Sequence, residues 1–81
     1  MLKIKDSVDL KELEKFGFEI TDEGLNSEYY VYVKYIKPYV SIRVDVENRR
    51  IYKDNDEFEI LLKEEEIYDL IKADMVEKVE G

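Results

Sequence analysis

Two stretches of strict alternation, Tyr29 to Ile36 and Tyr39 to Val46, constrain the fold of this chain more than any other feature. Successive side chains of an extended strand point to opposite faces, so an alternation of aliphatic with aromatic or charged residues describes a strand with one face buried. Lys37-Pro38 separates the two stretches. Proline fixes its own φ and has no amide donor, so it belongs in a connection, and the pair is expected to form an antiparallel hairpin. Alternation lets Val31, Val33, Val40, Ile42, Val44 and Val46 share one buried surface. The opposite surface then carries Tyr30, Tyr32, Lys34, Tyr39, Ser41, Arg43 and Asp45.

Helix signals lie on either side. Asp9 precedes a helical pattern with Glu12 three residues on, the spacing of a capping box, and Val8 and Leu13 can form the accompanying hydrophobic staple. Gly17 suits the left-handed position after a last turn, with Phe18 folding back onto Leu13. These signals predict a helix over residues 9–16 with Leu10, Leu13 and Phe16 as its apolar face. After Gly17, Phe18-Glu19-Ile20-Thr21 alternates like a strand, and Asp22 to Ser27 has turn-forming residues. Glu47-Asn48-Arg49-Arg50 makes the next reversal, with Asn48 favouring a tight turn, and Ile51-Tyr52-Lys53 returns as a short strand. Residues 57–62 alternate weakly, between a strand and the lead into a helix. From Glu64, the positions Ile67, Leu70 and Ile71 have helical spacing behind three glutamates that suit a helix amino terminus, which predicts a helix over 64–73. Met75, Val76 and Val79 form an apolar tail, as a terminal strand or an extra helical turn.

The expected architecture is therefore a single α+β domain over residues 1–81. It has a three- or four-stranded antiparallel sheet, one helix before it and one after, both packed on its aliphatic face. With 81 residues and no cysteine, packing alone must hold the core. No apolar run approaches a membrane span, and Met1 to Asp6 lacks the hydrophobic centre of a signal peptide, so the expected compartment is the cytoplasm, without membrane association.

The formal net charge of −8 disfavours duplex DNA as a partner for the whole molecule. Its distribution is uneven: the net is −3 over residues 1–27, +3 over residues 28–53 and −8 over residues 54–81. The basic segment coincides with the expected sheet.

Chemistry of the common catalytic kinds is missing. The chain has no histidine and no cysteine, which removes the usual general base near neutral pH and the thiolate nucleophile. Ser7, Ser27 and Ser41 lack nucleophile-elbow glycines, and Gly17, Gly24 and Gly81 are too far apart for a phosphate-cradling loop. Asp54-Asn55-Asp56-Glu57 resembles the first part of a calcium loop but lacks its glycine and closing glutamate, so it reads as a solvated turn. Glu64-Glu65-Glu66 reads as a charged first helical turn. No catalytic, metal or cofactor residue is nominated, and an enzyme here would have to rely on carboxylates alone.

The candidate interaction surface is Tyr30, Tyr32, Lys34, Tyr39, Arg43, Arg50 and Tyr52. Tyrosine and arginine are enriched at protein interface hot spots, which points to a protein partner. The same residues, with Lys53, have the ingredients of a sheet that stacks single-stranded bases and pairs with phosphates, the alternative function. Against both stands the plain account that tyrosines favour strands and stabilise a half-exposed sheet through cross-strand pairs. The acidic carboxy-terminal third could meet a basic partner or imitate nucleic acid, or simply serve as a solvated helix face. An open sheet edge leaves monomer and weak homodimer as the expected states.

The string from Asp6 to Phe18, the tyrosine-rich hairpin and the segment Ile67-Tyr68-Asp69-Leu70-Ile71-Lys72-Ala73-Asp74-Met75-Val76 resembles small uncharacterised proteins encoded by bacteriophages and integrated mobile elements. The resemblance implies an intracellular accessory role and transfers no catalytic or binding residue. The resulting expectation is a small non-enzymatic accessory domain that binds another protein.

Overall fold

A computed structural model describes residues 1–22 and 30–79. The chain forms β1 (Leu2–Ile4), a 3-10 helix (Leu10–Phe16), β2 (Glu19–Asp22), β3 (Tyr30–Lys37), β4 (Val40–Asp45), β5 (Arg50–Asp54) and β6 (Glu59–Ile60). A second 3-10 turn (Glu64–Ile67) runs into α1 (Tyr68–Lys72), and β7 (Val76–Lys78) follows. All seven strands belong to one antiparallel sheet of order β2-β3-β4-β5-β1-β7, with β6 also paired to β5.

This corrects the expected architecture of three or four strands with one helix before and one after. β6 lies within the weakly alternating residues 57–62 and β7 within the apolar tail, each the strand alternative offered there, whereas β1, three residues long, is too short to display an alternation and has no counterpart in the expectation. The first helix does not precede the sheet, because β1 does. The expected turn over residues 22–27 lies, from 23 onward, outside the described residues.

The helical segments lie within one residue of their expected bounds, but the first is a 3-10 helix throughout and the second begins as one, and in the first the spacing gives the reason. Leu10, Leu13 and Phe16 recur every third residue, and a 3-10 helix has three residues per turn, so it stacks all three in line over the sheet. An α-helix would rotate them progressively off that line. Asp9 and Gly17 close the two ends as expected, but Glu12 completes no capping box with Asp9 and instead pairs with Lys15 at 2.8 Å. Asp9 Oδ1 accepts from the Lys11 N–H at 3.0 Å, Gly17 has φ 90°, and the Phe18 N–H reaches the Leu13 carbonyl at 3.2 Å.

The largest correction concerns the hairpin faces. Continuing the pair Lys37↔Val40 down the strands without interruption would set Val33 opposite Val44. A β-bulge between Tyr35 and Lys37 leaves Ile36 without an opposite residue and changes the parity: Tyr32 faces Val44, Val33 faces Arg43 and Val31 faces Asp45. A one-residue slip moves every side chain of a strand to the other face. Tyr32, 4% exposed, therefore joins Ile4, Leu13, Phe18, Ile42, Val44, Ile51, Ile67, Leu70 and Met75 in the core, while Val31 and Val33 share the outer face with Ser41, Arg43 and Asp45. The expected single aliphatic surface of six residues is split between the two faces.

Lysine stems close the margin of the inner face. Lys34 Nζ stands 5.8 Å from the Phe18 ring centroid, and Lys53 pairs with Glu66 at 2.7 Å with both side chains largely buried. Glu66 also accepts from the Lys63 N–H at 3.0 Å, fixing the second 3-10 turn to β5. Desolvation pushes the Glu66 carboxyl up, but the hydrogen bonds from Lys53 and the Lys63 backbone, with both cations, outweigh it and hold its pKa below the ordinary value.

Candidate functional site

The strand that organises the site is β5, because one of its edges serves two short strands end to end. Ile51 and Arg50 pair with Leu2 and Lys3 of β1, whereas Lys53 and Asp54 pair with Ile60 and Glu59 of β6. Neither strand pairs with Tyr52, which stands where the two would meet. There the sheet opens into a groove of about 530 Å³, walled by Met1, Leu2, Tyr52, Ile60, Leu61 and Leu62. A smaller hollow of about 130 Å³ between Leu2, Ile71 and Val76 shares Leu2, Glu64 and Lys78 with it, so the depression continues toward α1.

The rim is apolar and open to solvent. Leu61 is 77% exposed, Met1 59%, and Ile71 at the adjoining hollow is also exposed. The polar groups around it are matched within the molecule. Arg50 pairs with Glu59 and lies 5.1 Å from the Tyr52 ring centroid, and Lys78 stands 3.6 Å from Glu64. The hydrogen bond to Glu59 raises the Arg50 pKa above its ordinary value, against the opposing effect of desolvation, with the Glu59, Tyr52 and Asp45 charges adding to the rise.

The wall contributed by β1 is held from the β4–β5 turn. Arg49, in the left-handed region at φ 64°, donates from Nη1 to the Lys5 carbonyl at 2.8 Å and the Val8 carbonyl at 2.6 Å, and its own carbonyl accepts from the Ile4 N–H at 2.9 Å. Asn48 was expected to favour the tight turn; its side chain caps Arg50 N–H at 2.9 Å, and the left-handed residue is Arg49.

The seven residues singled out from the sequence do not share one surface. Arg50 and Tyr52 line the groove. Arg43 lies on the same outer face, where its Nε donates to Ser41 Oγ at 3.1 Å and its Nη2 stands 3.7 Å from Asp56. Tyr30, Tyr32 and Lys34 project to the inner face, with Tyr32 in the core. Tyr39 sits in the hairpin turn at φ 66°, with 74% of its surface exposed. Sequence reasoning missed Met1, Leu61 and Ile71 at the groove. The signal was in Phe58, Ile60, Leu61 and Leu62, which place apolar residues at both parities of a short stretch, more than one face of a strand can bury.

The oxygen-rich segment after β5 is a turn closed by its own side chains. Asp54 Oδ1 accepts from the Asp56 N–H at 2.6 Å, and Asn55 Oδ1 accepts from the Glu57 and Phe58 N–H groups, each at 3.0 Å. Among the described residues no group of three or more Asp or Glu side chains is placed to hold a metal ion, and no helix is long and apolar enough to cross a membrane. Ser41 is fully buried beside Arg43. Compared with protein-family models, with curated proteins and with solved structures, the chain has no match in any of the three.

Proposed function

We propose that this chain is a non-enzymatic accessory domain that binds another protein through the groove where β1 and β6 converge on Tyr52. The observation that carries this reading is the exposed apolar rim, Leu61 above all, around a concavity whose charged neighbours already have intramolecular partners. Solvated aliphatic side chains beside satisfied ion pairs suit a partner that brings apolar side chains rather than phosphates. The burial of Tyr32 and the pairing of Arg43 and Arg50 with carboxylates favour this reading over stacking of single-stranded nucleic acid, as does the net charge of −8.

The test is site-specific photo-crosslinking in a lysate of cells that contain the protein, with the reactive side chain at Leu61 or, as a control away from the groove, at Lys11. The expected result is a defined protein adduct from Leu61 only, lost when Ile71→Glu is added. Equal labelling at both positions, or no protein adduct while a single-stranded oligonucleotide binds at low salt, refutes the proposal.

A further inference from the structure

β2 stands at one end of the strand order, and among the described residues no strand pairs with its outer edge. A strand in that position presents unpaired N–H and C=O groups to solvent, a template for another strand. All four residues of β2 are exposed, Ile20 at 52%, and no described residue forms an ion pair with the Glu19 or Asp22 carboxylate. A hollow of about 360 Å³ runs beside this edge on the outer face, between Glu19, Thr21, Val33, Tyr35 and Arg43.

We infer that the β2 edge accepts an extended segment of another protein by antiparallel strand addition, and that the segment carries Lys or Arg opposite Glu19 and Asp22 and an aliphatic residue opposite Ile20. Read from its amino terminus, the segment has a cation facing Asp22, a small residue facing Thr21, an aliphatic side chain facing Ile20 and a cation facing Glu19. Opposed residues share a face, so the partners of Glu19 and Thr21 lie on the outer face beside the hollow, and those of Ile20 and Asp22 lie on the inner side. Charge selects this occupant over a second copy. A seam between two β2 strands gathers four carboxylates, and β2 has no cation to separate them, in molecules that each carry −8. The edge stands at the far end of the strand order from the groove, so this inference does not rest on the groove reading.

The experiment uses the full chain and a fluorescent peptide centred on lysine, threonine, valine and lysine in that order, beside a peptide with glutamate at both lysine positions. Binding is read by anisotropy, and its location by amide shifts and hydrogen exchange. The expected result is saturable binding of the lysine peptide with protection of amides in residues 19–22, and binding of the glutamate peptide about tenfold weaker, the effect of turning two cross-strand attractions into repulsions. The double variant Glu19→Lys/Asp22→Lys, altered only at exposed positions, should reverse the preference. No saturable binding of the lysine peptide, equal binding of both peptides, shifts confined to Leu61 and Ile71, or concentration-dependent shifts in β2 without peptide would each overturn the inference.

Discussion

Replacing Arg49 tests whether β1, and with it one wall of the groove, is held from the β4–β5 turn. The guanidinium makes two hydrogen bonds to backbone carbonyls 44 and 41 residues away in sequence, at 2.8 and 2.6 Å. Hydrogen bonds from a charged donor contribute about 1.5–3 kcal/mol each; the site is only partly buried, so water recovers part of both, and Arg49→Ala should cost about 2–4 kcal/mol. Arg49 is also a non-glycine residue at φ 64°, a conformation that costs about 1 kcal/mol or more and that glycine adopts freely. Arg49→Gly should therefore be more stable than Arg49→Ala by roughly 1 kcal/mol, although it removes the same hydrogen bonds. This ordering is opposite to that for a helical or strand position. Urea unfolding followed by far-UV circular dichroism measures both variants, and hydrogen exchange at the Val8 amide, which donates to the Lys5 carbonyl at 3.0 Å, reports the loosening locally. An Arg49→Ala variant within about 0.5 kcal/mol of the parent, or an Arg49→Gly variant less stable than it, refutes the reasoning.

Other substitutions separate further parts of the fold. Tyr32→Ala, which empties a core position, should cost about 3–5 kcal/mol in urea unfolding, whereas Val33→Ala on the outer face should cost under about 1.5 kcal/mol; the reverse order contradicts the bulged register. Gly17→Ala should lose about 1–2 kcal/mol from backbone strain alone, because the atoms nearest a Cβ there belong to the flexible Lys34 side chain, the first at an ordinary 3.5 Å. Glu66 has a folded-state pKa below its unfolded value, so its contribution is complete above the unfolded value near 4.5 and disappears as the pH falls through the lower folded value. Glu66→Gln should therefore destabilise at pH 7, and the gap to the parent should close in acid; urea midpoints across that range decide it, and a gap independent of pH contradicts it.

Much of the element order was legible in the residues. Asp9 and Gly17 mark the ends of the first helical segment because caps act through local backbone groups, and Pro38 marks the hairpin connection because proline restricts its own backbone. Ile67 and Leu70 anchor the second helical segment as their spacing implies. Other features depend on contacts far apart in sequence. β1 exists because Leu2 and Ile4 find Ile51 and Val76, and nothing in three residues announces such pairings. The faces of β3 are not legible locally, because alternation defines two faces without saying which matches which on the neighbour. That matching turned on Ile36, a β-branched residue with no local mark of a bulge. The candidate surface inherited the same ambiguity, with Tyr32 assigned outward when its ring was needed in the core. In the sequence Arg49 is visible only as part of a turn, since its partners at Lys5 and Val8 belong to a distant loop.

The bulge at Ile36 determines which side chains build the core and which remain on the outer face. Backbone NOEs across the β3–β4 hairpin test it most directly. The bulged register gives cross-peaks linking Val33 with Arg43 and Tyr32 with Val44. Cross-peaks linking Val33 with Val44 and Tyr32 with Asp45 would contradict it.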